Sequence, residues 1–162
     1  MQGEELTRPI EDYYENDWNF NKYLLEYEQY NDHIFFEGNA FLQEYFKWAN
    51  FKNYDLILHI VESSDDFKKV ENNFLVDFIN LTFPTEIPSN RNYLRMRVRK
   101  KQFRKILIEG DLWEAFYSGF GARYYVEPDI FHYNFIGHFS WRLPQETFTN
   151  FYNETLQNFK TE

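Results

Sequence analysis

Read for the alternation of apolar and polar positions, the chain is richest in short amphipathic stretches. Behind Asn39, the residues Phe41, Leu42, Tyr45, Phe46 and Ala49 recur at three and four places, with Gln43, Glu44, Lys47 and Asn50 opposite. That spacing predicts a helix over 39–52, capped by the Asn39 side chain. Leu56 to Val61 is apolar without alternation, the pattern of a strand at 55–61 packed on both faces. Ser63-Ser-Asp-Asp66 offers hydroxyl and carboxylate oxygens to the free N–H groups of a helix start. Phe67, Val70, Phe74, Phe78 and Ile79 follow at helical spacing as far as Pro84 and Pro88. A helix over 64–82 is therefore expected. In 93–99, Leu94, Met96 and Val98 alternate with Arg95, Arg97 and Arg99. This predicts a strand with apolar side chains on one face and guanidinium groups on the other.

After a turn, 104–109 reads as a strand ending at Gly110, and Asp111 as the cap of a short helix through Leu112, Trp113, Phe116 and Tyr117. Residues 122–127 and 130–142 read as a hairpin around Pro128-Asp129. Phe131, Tyr133, Phe135, Gly137, Phe139 and Trp141 fall on one side of its second strand, with His132, Asn134, Ile136, His138, Ser140 and Arg142 on the other. A final helix over 145–159 carries a stripe of Phe148, Phe151, Tyr152, Leu156 and Phe159. Residues 10–30 are acidic and aromatic with a helical lean, and His33 to Phe36 suggest a short strand. The order predicts an α+β fold: an antiparallel sheet of about four to five strands, with amphipathic helices mainly on one face. No linker, repeat or low-complexity stretch interrupts 1–162, which is read as one domain with 1–9 as a flexible arm.

Composition adds one unusual property. Aromatic residues make up 22% of the chain, and each buried ring removes roughly 150–250 Å² from water. So many rings exceed what one core holds, and some are expected at a surface, where Tyr and Trp mark binding sites. The absence of cysteine excludes disulfides, thiolate metal ligation and a cysteine nucleophile. The first residues lack the basic and apolar regions of a secretory signal. No apolar run approaches the ~20 residues of a membrane span. The cytosol is the expected compartment, with no membrane partner.

Charge is segregated along the chain. Residues 1–90 carry six bases against eighteen acids, whereas 91–105 carry eight bases and no acid; residues 106–162 return to three against eight. Arg95, Arg97, Arg99, Lys101 and Arg104 thus form a candidate surface for carboxylates or phosphates, since guanidinium groups engage both through paired hydrogen bonds. The opposing reading is internal counter-charge, but exposed pairs contribute only about 0–1 kcal/mol. The acidic N-terminal third, with Tyr14 and Trp18 as aromatic anchors, has the make-up of a surface that covers a basic site on another protein. A third candidate is the polar strand face of Glu127, His132, Asn134, His138 and Arg142. On a strand its two histidines would stand about 20 Å apart at ~3.3 Å per residue, so no metal is expected there.

No phosphate loop, nucleophile elbow or zinc-binding His-Glu-x-x-His is present, and no catalytic residue or cofactor is expected. The expected function is a non-catalytic protein-binding module acting stoichiometrically as an inhibitor or immunity-type antagonist. A nucleic-acid-binding protein using 91–105 is the alternative, opposed by the net charge of −9. A small-molecule enzyme built on His132 and His138 stands third.

Overall fold

The run Ile57–Ser63 (β1) lies inside a four-stranded sheet that spans the described chain. The computed structural model describes residues 35–117 and 121–161. Tyr14, Trp18 and the stretches 1–9 and 10–30 lie outside them. β2 (Val70–Asp77) pairs antiparallel with β1, β3 (Tyr93–Arg99) pairs parallel with it, and β4 (Ala122–Glu127) pairs antiparallel with β3. The order β2-β1-β3-β4 makes a mixed sheet, not the antiparallel one expected. The connection after β2 explains this: it runs across the end of the sheet past the start of β1, where the Ile57 N–H donates to Asn92 O at 2.8 Å. β3 therefore sets off in the direction of β1.

Helices α1 (Ala40–Ala49), α2 (Lys100–Glu109), α3 (Glu114–Tyr117), α4 (Tyr133–Trp141) and α5 (Phe148–Thr161) complete the α+β fold. Leu58 and Ile60 of β1 and Leu94, Met96 and Val98 of β3 join Phe46, Phe103, Phe135, Phe139 and Phe148 of the helices in one buried cluster. Each such side chain stabilises the fold by about 1.5–3 kcal/mol. Trp113 lies at its centre, 4.3 Å from the Phe139 ring, and its indole N–H donates to the Tyr45 hydroxyl at 2.8 Å. Burial thus leaves that polar tip satisfied. The aromatic surplus does reach the surface: Phe131, Tyr133 and Trp141 are exposed.

Four expected elements change. Residues 64–69 form a turn, and the strand β2 takes Val70–Asp77 of the expected 64–82 helix. Ser64 Oγ accepts from the Lys69 N–H at 3.0 Å and Asp66 Oδ1 from the Lys68 N–H at 3.0 Å. The oxygens that cap helices here close a turn, because both tasks satisfy nearby backbone donors. The expected strand 104–109 is α2, whose Phe103, Ile106 and Leu107 bury at helical spacing. It begins at Lys100 directly after β3 and ends at Gly110, in the left-handed region at φ 67°. The expected strand 130–142 is α4. Phe135 and Phe139 are four apart, so one alternating pattern also supplies a helical stripe. Phe35 and Phe36 are helical rather than extended. Asn39 does precede α1, but its side chain makes no cap bond and instead accepts from Asn72 Nδ2 at 2.8 Å.

Candidate functional site

Since Leu94, Met96 and Val98 point into the core, the period of two carries Tyr93, Arg95 and Arg97 to the opposite face. Register brings neighbours to them. His59 of β1 stands beside Arg95 and Val61 beside Arg97; from β4, Tyr125 stands opposite Arg95, Arg123 opposite Arg97 and Glu127 opposite Tyr93. The Arg95 guanidinium is exposed and lies over the Tyr125 ring, 5.0 Å from its centre. The Tyr125 hydroxyl donates to Glu127 Oε2 at 3.1 Å, and beside that carboxylate its pKa rises. Phe67, at φ 64°, has the guanidinium groups of Arg99 and Arg123 against its ring, at 4.1 and 4.0 Å. Arg97 donates to Ser63 Oγ at 2.9 Å and to Phe67 O.

His59 is held on both nitrogens. Nε2 meets Asn73 Oδ1 at 2.8 Å and Nδ1 meets the Tyr93 hydroxyl at 2.6 Å. With the amide oxygen as acceptor, Nε2 carries the proton and Nδ1 accepts from Tyr93. Burial lowers the His59 pKa; the Asn73 bond opposes this and the Arg95 charge adds to it. The ring is therefore neutral at pH 7, an acceptor beside a cation.

Two cavities flank this pair. One of about 660 Å³ lies at the start of β3, lined by Asp55, Arg91, Asn92, Tyr93 and Glu127 among others. There Arg91 clasps Asp77 through two bonds of 2.8 Å and also reaches Asp55. This raises the Arg91 pKa and holds Asp77 below the usual carboxylate range. The other cavity, about 410 Å³, follows the edge of β2 and includes His59, Asn73 and Thr85. Ile87 lines both.

The remaining expected residues are scattered. Arg99 is buried, donating to Asp65 O. Arg104 is fully buried, donating through Nε to Glu62 Oε2 at 2.8 Å and through Nη2 to Oε1 at 2.7 Å, so it does not share the Arg95 face. Lys101 is half-buried on α2. The polar face of 130–142 does not form. His132 is buried, with Nδ1 2.6 Å from the Tyr54 hydroxyl, while His138 Nε2 donates to Ala49 O at 2.6 Å. Asn134 is exposed on α4, Arg142 is exposed just past its end, and Glu127 sits at the end of β4. Sequence reasoning missed His59, Asn73 and Tyr93. The one signal was a lone histidine in an apolar run, and only the register of β1 against β3 gives it meaning. Among the described residues no three acidic or histidine side chains gather as metal ligands would, and no helix is long and apolar enough to cross a membrane.

The chain resembles the cytidine monophosphate-N-acetylneuraminic acid hydroxylase of Danio rerio, with 35% identity over 134 residues. It is 37% identical to that of Mus musculus over 135 residues. A Homo sapiens relative named as an inactive form of this hydroxylase is 36% identical over 135 residues. Each match takes in 81% of this chain but only 23%, 23% and 27% of the relative. The chain thus spans about a quarter of the length of the curated relatives it matches. No family model and no solved structure matches it. Because the relatives are named for an enzymatic hydroxylation, the expected non-catalytic, protein-binding inhibitor is overturned.

Proposed function

We propose that this chain contributes substrate recognition to a hydroxylase acting on cytidine monophosphate-N-acetylneuraminic acid, with the Arg95 face holding the anionic nucleotide sugar. The similarity to hydroxylases of that name over 81% of the chain carries the reading. The face suits the substrate chemically. A nucleotide-linked sialic acid presents a phosphate and a carboxylate, and Arg95 and Arg97 lie on one strand face with Arg123 beside them. Tyr125 and Tyr93 add aromatic surface for a sugar or base. The cytosol stays the compartment in this reading.

The test is calorimetric titration of the chain with cytidine monophosphate-N-acetylneuraminic acid. Each charge-assisted bond contributes about 1.5–3 kcal/mol. Arg95→Gln is therefore expected to weaken binding roughly 10- to 100-fold, and added salt to weaken the wild type more than the variant. Binding of equal strength in Arg95→Gln overturns the assignment. Equal binding of any single-stranded nucleic acid, lost at high salt, would move the face to the nucleic-acid alternative.

A further inference from the structure

The cavity beside β2 differs in kind from the larger cavity, which Asp55, Arg91 and Glu127 line. None of the described residues that line it carries a formal charge at neutral pH. Asn39, Gln43 and Asn73 supply amides, Thr85 a hydroxyl and His59 a neutral ring. Its apolar wall includes Phe74 and Phe83, whose rings lie 5.5 Å apart at 33°. At about 410 Å³ it falls within the roughly 300–1,000 Å³ of small-molecule sites, which combine apolar walls with a few placed polar groups. Asn39 Oδ1 already accepts from Asn72 and Asn73 Oδ1 from His59, so these two amides present their N–H groups. Gln43 offers donor and acceptor side by side, the pairing that matches the edge of a heterocyclic base. A charged ligand would find no counter-ion among these groups and would lose hydration on entry.

The cavity is also tied to the cationic face. His59 stands in register with Arg95, and it hydrogen-bonds Tyr93, which lines the larger cavity. A ligand seated against His59 thus places any attached anionic group toward Arg95. We infer that this cavity is a nucleobase site, taking a neutral planar heterocycle of pyrimidine size through the Asn39, Gln43 and Asn73 amides. The choice of a pyrimidine, and of Arg95 for its phosphate, rests on the nucleotide-sugar reading above; the neutrality and amide lining of the cavity do not.

The test is a ¹H–¹⁵N NMR titration of the full chain with cytidine and, separately, with inorganic phosphate. Cytidine is expected to move the side-chain amide signals of Asn39, Gln43 and Asn73, and phosphate those around Arg95. Gln43→Ala is expected to weaken cytidine binding about fivefold, one neutral hydrogen bond. If cytidine moves none of these amide signals in the wild type, the inference is overturned, even where the nucleotide sugar still binds through Arg95. If cytidine moves them while Arg95→Gln leaves nucleotide-sugar binding intact, the cavity assignment stands and the substrate reading falls. Because the amide signals are read in the wild type, a variant that fails to fold does not obscure the outcome.

Discussion

Glu62 and Arg104 are the most demanding pair of side chains in the molecule, since both are fully buried. Taking two charges out of water costs several kcal/mol each, and only close pairing with further hydrogen bonds offsets it. Here the guanidinium reaches Phe35 O at 3.0 Å and Gly38 O at 2.8 Å besides the carboxylate, and Asn72 Nδ2 donates to Glu62 Oε1 at 2.9 Å. Glu62→Gln keeps the volume but leaves Arg104 charged and buried without its counter-ion. A loss of about 3–5 kcal/mol is expected in urea unfolding followed by circular dichroism. A loss below about 1 kcal/mol would mean that the pair does not carry this burden. The same bonds show why a run of bases need not be one surface. Of the eight in 91–105, Arg91 and Arg104 serve as internal counter-charges, whereas Arg95 remains exposed.

At the scale of elements, two histidines, one just before α4 and one within it, tie it to the end of α1 and to the segment leading into β1. His132 meets Tyr54 and His138 meets Ala49, with Phe51 5.0 Å from the His138 ring. Burial lowers both pKa values; Asp55 partly opposes this at His132. At His138 the Ala49 bond opposes it, and Arg142 adds to it. The unfolded chain, with histidines near 6.5, then binds more protons than the folded one as acid is added. Stability is fully present above about pH 6.5 and is lost as pH falls through it toward the folded values. His59 acts in the same direction, while Asp77, held low by Arg91, matters only at more acid pH. A melting temperature that falls from pH 7 to 5, less steeply in His138→Gln, is the expected result; a flat profile contradicts it. These elements also show how far the sequence could be read. The strand 93–99 and the α1 stripe declared themselves because each pattern fits one period. Residues 64–82 and 130–142 did not: Phe74 and Phe78, like Phe135 and Phe139, are four apart and satisfy both periods. Arg95 and Arg97 were legible as one face. His59, Asn73 and Tyr93 were not, because tertiary register alone brings them together.

Taken whole, the described residues bury a large set of aromatic rings in one core and turn a small cationic face outward from an acidic chain. That balance sets how a ligand is met. With a net charge of −9, long-range attraction to an anion is weak, so in the proposed reading discrimination would rest on short-range contacts at Arg95 and its neighbours. The guanidinium of Arg104 has a further consequence, for the order in which the fold is completed. Its bonds to Phe35, Gly38 and Glu62 close separations of 69, 66 and 42 residues. Contacts so distant along the chain require large loops to be closed before they return any stabilisation. The β1–β2 hairpin, by contrast, joins near neighbours and is free to form early. The ion pair should therefore be among the last contacts made, a latch rather than a nucleus. In stopped-flow urea experiments, Glu62→Gln is expected to speed unfolding greatly while barely slowing refolding. Slower refolding with unchanged unfolding would place the pair in the folding nucleus instead.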